Sequence, residues 1–259
     1  MTNQIYNQDC LEWMRSQADA SVDIIISSPP YNIGISYNTY GDKMSVEDYL
    51  KWQKEVWTEA CRLLKPTGHL FLNIAPTRKD PLLPYRVASS VPWTIQNSLV
   101  WSKCIEIDGH VRGHGVVTTS QRYLPNGHEM VFHCTKNGKT NINIQASSVP
   151  YQPAWAADNS ARTGRNWRPT VNNWHIPYET CGGGNKSAQL KGSKKHPAIF
   201  PRELVRHCLN VAGAQPGQIV YDPFGGTGTT AVVAKEMGID SITTEIDADY
   251  CQFIQDRLK

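Results

Sequence analysis

The stretch Asp222-Pro223-Phe224-Gly225-Gly226-Thr227-Gly228-Thr229-Thr230, DPFGGTGTT, decides how the rest of the chain is read. An apolar run, Gln218 to Tyr221, precedes it and reads as a strand. A helix is predicted after it as far as Met237, then a strand from Ser241 to Ile246 and a closing helix to Leu258. Gly226-x-Gly228-x-x-Ala231 fits the glycine pattern of a nucleotide-binding strand-turn-helix. Glu245 lies 17 residues beyond Gly228 and ends the next strand, where such folds place an acid against ribose hydroxyls.

The turn also narrows the ligand. A phosphate-binding loop ends in Gly-Lys-Ser/Thr, but here Thr229 and Thr230 follow Gly228, which disfavours nucleotide triphosphate hydrolysis. Asp222 puts a negative charge at the strand's mouth. Pyrophosphate is repelled there, whereas an ammonium or a sulfonium is attracted. S-adenosylmethionine carries both, with a ribose for Glu245; a dinucleotide remains the alternative.

Only 14 residues follow Glu245, so the rest of a nucleotide-binding sheet is expected from the N-terminal half. The run Val22 to Ser28 reads as a strand buried on both faces, and it stops on Ser28-Pro29-Pro30-Tyr31. Ligands of such sheets sit beyond the carboxyl ends of the strands. The proline corner and the glycine corner are therefore expected to face one crevice.

Further elements follow the same pattern. A short helix is predicted over Asp9 to Ser16. Ser45-Val46-Glu47-Asp48 resembles a capping box for a helix running to Leu64, which Lys65-Pro66-Thr67-Gly68 then breaks. Strands are expected at His69 to Ile74, Ile95 to Trp101 and Met130 to Cys134, and a helix from Pro201 to Ala212. Alternating strands and helices predict a doubly wound, largely parallel α/β sheet. At 40% hydrophobic and 19% charged residues, with no run of 18 apolar residues, the chain reads as a soluble globular protein without a membrane span or signal peptide. Its seven cysteines are scattered and form no C-x-x-C pair. They predict neither a disulfide framework nor a metal site, and a cytoplasmic location.

The prolines fix their own backbone and restrain their predecessors. The Ser28 and Pro29 carbonyls and the Ser28 hydroxyl are then acceptors aimed into the crevice, with Tyr31 as a flat face. An aromatic exocyclic amine has two N–H donors and a ring to stack, but its lone pair is delocalised. Rigid acceptors that grip both hydrogens favour a pyramidal, nucleophilic nitrogen. Each bond contributes about 1 kcal/mol, so positioning supplies much of the rest. A base within a duplex reaches such a crevice only when flipped out.

Between Asn159 and Phe200 the chain carries Arg162, Arg165, Arg168, Lys186, Lys191, Lys194 and Lys195 against one acid, Glu179. Trp167, Trp174 and three consecutive glycines lie among them. Basic side chains interleaved with aromatics suit a polyanion with stackable bases, and a solvated basic loop is the plainer reading. From about Lys136 to His196 no period persists, which predicts a functional insertion.

Taken together these residues resemble the amino-methylating DNA methyltransferases in their permuted, β-type motif order. Ser28-Pro29-Pro30-Tyr31 resembles the family's catalytic motif, and Asp222-Pro223-Phe224-x-Gly226-x-Gly228-Thr229 its cofactor motif. Asn7-Gln8-Asp9-Cys10 is similar to the family's N-G-D-C start, with Gln8 in place of glycine. His196-Pro197-Ala198-x-Phe200-Pro201 is similar to the element before the glycine motif, and His128-Glu129 with Phe132 and Lys136 to one near the target pocket. The resemblance implies a seven-stranded Rossmann-like sheet with its catalytic half at 1–135, a target-recognition insertion at 136–195 and its cofactor half at 196–259. It implies S-adenosylmethionine held by Asp9, Cys10, His196, Phe200, Pro201, Asp222, Pro223, Phe224, Gly226, Thr227, Gly228, Thr229, Glu245 and Ile246. Ser28, Pro29, Pro30 and Tyr31 take the target amine, and the seven basic residues take DNA. The SPPY form accompanies N4-cytosine methylation more often than N6-adenine. A cognate restriction endonuclease is a further partner for such a chain, which is either monomer or homodimer.

Two other readings stand beside this one. A dehydrogenase leaves SPPY and the basic tract without a role. A non-catalytic DNA-binding protein leaves the cofactor crevice without one.

Overall fold

The structure is a computed structural model, and it describes residues 2–34, 41–108, 110–113, 121–146, 148–169, 171–177 and 201–259. Its centre is one nine-stranded sheet. The strands, in chain order, are β1 (Asn3–Asn7), β2 (Val22–Ser27), β3 (Leu64–Ile74), β4 (Thr94–Ile107), β5 (His110–Gly113), β6 (His128–Thr135), β9 (Asn173–Pro177), β10 (Ile219–Asp222) and β11 (Asp240–Glu245). A separate pair, β7 (Ser148–Pro150) and β8 (Trp167–Pro169), is antiparallel.

The resemblance implied seven strands and the sheet has nine: seven follow the order β1-β11-β10-β2-β3-β6-β4, and β5 and β9 both add to β4. The ladders from β1 to β3 are all parallel, while β6 runs antiparallel to both β3 and β4. The N-terminal and C-terminal parts of the chain thus share one sheet: β10 and β2 pair with Val220 against Ile24 and Tyr221 against Ile25.

Both faces are covered, which explains the unbroken run Ile24-Ile25-Ile26. Successive side chains of a strand point to opposite faces. Ile25 joins a core with α1 (Cys10–Ser16), α2 (Val46–Leu63) and α3 (Leu83–Ser89). Ile24 and Ile26 join another with α5 (Arg202–Ala212) and α6 (Thr229–Met237). At the capping box Ser45 accepts from the Asp48 N–H at 3.1 Å, but its hydroxyl donates to the Asp48 carboxylate, so the acid does not reach back to the backbone. Lys65 to Gly68 is extended rather than a separate turn, and β3 starts directly at Leu64. A side chain at Gly68 would meet the Asp23 carbonyl at 2.7 Å.

The region without sequence periodicity has structure of its own. The α4 helix (Pro153–Thr163) ends on Gly164 at φ +66°, and it lies in the chain between β7 and β8. Strand β9 leaves this region and joins the central sheet, pairing Trp174 with Trp101. Short strands carry too few residues for a pattern to emerge, and their partners are distant in sequence. Among the described residues no helix is long and apolar enough to cross a membrane, and no three His, Cys, Asp or Glu side chains are grouped to hold a metal. The six described cysteines are free thiols.

Candidate active site

The carboxyl ends of β1, β11, β10 and β2 line up on one rim of the sheet. Asn7 pairs with Glu245, Asp222 with Thr243, and Tyr221 with Ile25. The two corners singled out in the sequence meet there. Ser27 Oγ donates to Asp222 Oδ1 at 2.6 Å, joining residues 195 apart in the chain.

Asp222 is buried and fully engaged by its own fold. Oδ1 also accepts from the Phe224 N–H at 3.1 Å, and Oδ2 from Thr230 Oγ1 at 2.7 Å. Burial pushes its pKa up to about 6 against the pull of these donors. Glu245 accepts from the Gly226 N–H at 2.7 Å and from the Asp247 N–H at 2.9 Å. Burial raises its pKa to about 7, helped by the negative charges of Asp247 and Asp222. Glu245 therefore closes the glycine turn with its carboxylate, a role the spacing did not reveal.

The glycines are explained by geometry. Gly226 has φ +51° and Gly228 φ +73°, the left-handed region that side chains resist. A Cβ at Gly228 would also come within 2.6 Å of Ile254, on α7 (Ala248–Leu258). Gly228 caps α6, and Thr227 and Thr229 are buried beside it. Asp9 caps α1, its Oδ1 accepting from the Leu11 and Glu12 N–H groups at 2.9 and 3.2 Å. Gln8, which replaces glycine in the resemblance, needs no positive φ, and its N–H binds the Glu245 carbonyl at 3.1 Å. Phe224 is half-buried against Trp52 and Trp57, with ring centroids 5.6 and 6.1 Å away. Cys10 is buried next to Asp9, and that burial pushes its thiol up. Pro201 starts α5 and is buried, the Pro223 carbonyl accepts from Thr244 Oγ1 at 3.0 Å, and Ile246 is exposed on the rim. His196 and Phe200 lie outside the described residues.

At the proline corner the side chains form a network. Tyr31 Oη contacts Ser28 Oγ at 2.8 Å, Glu129 Oε2 at 2.8 Å and Asn73 Oδ1 at 3.2 Å. Burial and the Glu129 charge hold the Tyr31 phenol well above its ordinary pKa, so it stays protonated. Lys103 Nζ pairs with Glu129 Oε1 at 2.7 Å and lies over the Trp101 ring. Tyr49 donates to the Pro30 carbonyl at 2.8 Å.

The next residue, Asn32, sits at φ +57°. Its side chain brackets the Met44 backbone, donating to the carbonyl and accepting from the N–H. Buried Asp42 accepts from three successive N–H groups, Asn32, Ile33 and Gly34. Asp42, Asn73, Lys103, Tyr49 and Ser27 are site residues that sequence reasoning missed. Each acts through a partner that only pairing register or a loop contact supplies. Asn73, Glu129 and Lys103 lie on neighbouring strands at the same end, on one face by alternation.

The basic tract divides. Arg162 on α4 bonds Asn159, Arg168 is on β8, and Arg165 covers the Trp167 ring at 4.8 Å; all three are exposed. Lys186, Lys191, Lys194 and Lys195 lie outside the described residues.

Comparison with known proteins gives the following. A family model described as DNA methylase, covering N6- and N4-directed enzymes, matches residues 22–256. The chain is 27% identical to the type II methyltransferase M.BglII of Bacillus subtilis, over 96% of this chain and 66% of that protein. It is 26% identical to M.ScaI of Streptomyces caespitosus, over 98% of this chain and 81% of that protein. Among solved structures, the PvuII DNA methyltransferase, described as cytosine-N4-specific, superposes with a TM-score of 0.75 at 19% identity, covering 100% of this chain and 87% of that one. The complex of M1.HpyAVI with S-adenosylmethionine superposes with a TM-score of 0.62 at 19% identity, covering 100% of both chains.

Proposed function

We infer the reaction from one premise: this chain belongs to the DNA methylase family whose model matches residues 22–256. The reading is methyl transfer from S-adenosylmethionine to the N4 amine of a flipped-out cytosine in double-stranded DNA. The observation that carries it is the Ser27–Asp222 hydrogen bond, because it fixes the proline and glycine corners on one rim.

The residues present fit the cofactor. Two carboxylates, buried Asp222 and half-buried Glu245, have raised pKa values, and a cationic ligand beside them favours their charged forms. The left-handed glycines leave the backbone open to close approach. Asp9, Asp222, Phe224, the glycine turn and Glu245 would hold S-adenosylmethionine, which supplies an electrophilic methyl group when bound. The chain's part is to grip and orient the amine with Ser28 and Pro29, to place the base against Tyr31, and to exclude water. Arg162 and Arg168 would contact phosphates from the inserted region, 136–195.

Two points favour cytosine. A neutral serine accepts one amine hydrogen without needing a charge. The PvuII enzyme, whose fold superposes on this chain with a TM-score of 0.75, is described as cytosine-N4-specific. Mass spectrometry of nucleosides from DNA methylated by this protein tests the base, with N4-methylcytosine expected. Finding only N6-methyladenine would overturn that choice. Ser28→Ala is expected to lower methyl transfer at least about tenfold while DNA binding persists. Unchanged transfer would remove Ser28 from the mechanism.

A further inference from the structure

We propose that Glu129, held by Lys103, is a positioning residue that sets the hydrogen-bond polarity of Ser28. The proposal rests on the reading of Ser28 as acceptor for the target amine, and it explains how a hydroxyl is kept an acceptor. A serine hydroxyl turns freely and is as good a donor as an acceptor. Pointed at the amine, its proton would bind the nitrogen lone pair and oppose the reaction.

The network removes that choice. Tyr31 Oη has one proton and three neighbours within 3.2 Å. Two of them only accept. Glu129 is a carboxylate in an ion pair with Lys103 at 2.7 Å. Asn73 turns its N–H₂ to the Met130 carbonyl at 3.2 Å, which leaves its oxygen facing Tyr31. The Tyr31 proton therefore goes to Glu129, with Asn73 alongside, and Ser28 must donate its own proton to Tyr31. Ser28 Oγ is left with its lone pairs for the crevice. The order of donation runs Ser28 to Tyr31 to Glu129, and Lys103 anchors its end.

Glu129→Gln reverses the polarity at nearly constant shape. The new amide turns its oxygen to Lys103 and donates to Tyr31, whose proton is then shared between Ser28 and Asn73 Oδ1, and where it goes to Ser28 the Ser28 proton turns to the amine. We expect single-turnover methyl transfer to fall about tenfold or more, the value of one misdirected hydrogen bond. Affinities for S-adenosylmethionine and for DNA should stay within about threefold. A mutant cycle separates this from simple support of the fold. In a Tyr31→Phe background, where the chain of bonds is cut, Glu129→Gln should cost less than about twofold more.

Losses that multiply would overturn the proposal. So would wild-type transfer by Glu129→Gln alongside an inactive Ser28→Ala, with the reading of Ser28 left standing. Wild-type transfer by Ser28→Ala sinks that reading itself, and the proposal with it. Should Glu129→Gln lose cofactor binding through misfolding, Tyr31→Phe alone decides, because it removes the acceptor of the Ser28 proton: a loss of single-turnover transfer of about tenfold supports the proposal and wild-type transfer overturns it.

Discussion

The parallel half of the sheet and its antiparallel half are built for different work. Strands β1, β11, β10 and β2 end together, and their corners carry Asp9, Glu245, Asp222 and Ser28 on one rim. Parallel strands all point one way, so their carboxyl ends collect at a single edge, and loops there can share a ligand. The antiparallel ladders of β6 with β3 and β4 instead bring side chains near one end of those strands into register. Asn73, Glu129 and Lys103 reach the rim as a lateral support for Tyr31. One half supplies corners and the other supplies buttresses. Motifs mark the former, while pairing alone creates the latter.

The sharpest break of this contrast is a glycine comparison. Gly228 and Gly164 have similar angles, φ +73° and +66°, but Gly228 faces Ile254 whereas a Cβ at Gly164 meets open space. Gly228→Val should cost about 2–5 kcal/mol from backbone strain and overpacking, and lower cofactor affinity. Gly164→Ala, in the inserted region, should cost about 1 kcal/mol. Thermal melts read both, and equal losses would show that the glycine turn is not the tighter structure.

Acid separates the halves next. At the seam, His133 lies in a buried stack with His69 and Phe71, its Nε2 3.0 Å from His69 Nδ1 and its Nδ1 facing the Asn97 amide at 2.9 Å. Burial lowers its pKa to about 3, helped by His69. A group depressed on folding contributes stability above its unfolded pKa near 6.5, and that stability is lost as pH falls toward 3. Asp222 and Glu245 are raised on folding, so they act oppositely: their contribution is present at low pH and lost as pH rises through 6 to 7. The double variant Asp222→Asn, Glu245→Gln should therefore lose stability more steeply than wild type on acidification from pH 6.5 to 4.5. The slope from His133 is up to about 1.4 kcal/mol per pH unit. Urea unfolding at several pH values checks this, and parallel curves for the two proteins would contradict it.

The same two acids predict a pH dependence of ligand binding. A cation needs them charged, so S-adenosylmethionine affinity should be full at pH 8 and fall several-fold by pH 5.5, with about tenfold as the limit for one pKa unit moved. Calorimetry across that range tests it, and a flat profile would place the cation elsewhere. The smallest effect is expected in the inserted region. Arg162→Ala and Arg168→Ala should each weaken DNA binding uniformly and reduce the logarithmic salt slope by about 1. An unchanged slope would take those side chains off the phosphates.

Particular residues show why some of this was legible. Ile24-Ile25-Ile26 predicts a strand covered on both faces, because alternation leaves no polar side, and both cores use it. The glycine turn is legible because positive φ restricts the residue type. Ser27, by contrast, looks like its neighbour Ser28, and nothing local says that it bonds Asp222. Glu129 carries no periodic signal, and its pairing with Lys103 follows from a cross-strand diagonal, β4 beside β6. Strand β9 is five residues long and takes its place from β4, not from its own pattern.

Sequence alone determined the alternation of strands and helices, the two special corners and the chemistry their residue types permit. Those features depend on backbone angles and side-chain character, which each residue carries with it. Which corner lies beside which, where the Ser28 proton goes and what raises the acids were decided only by the folded sheet. Hydrogen-bond direction and desolvation are properties of neighbours, and the neighbours here come from strands far apart in the chain.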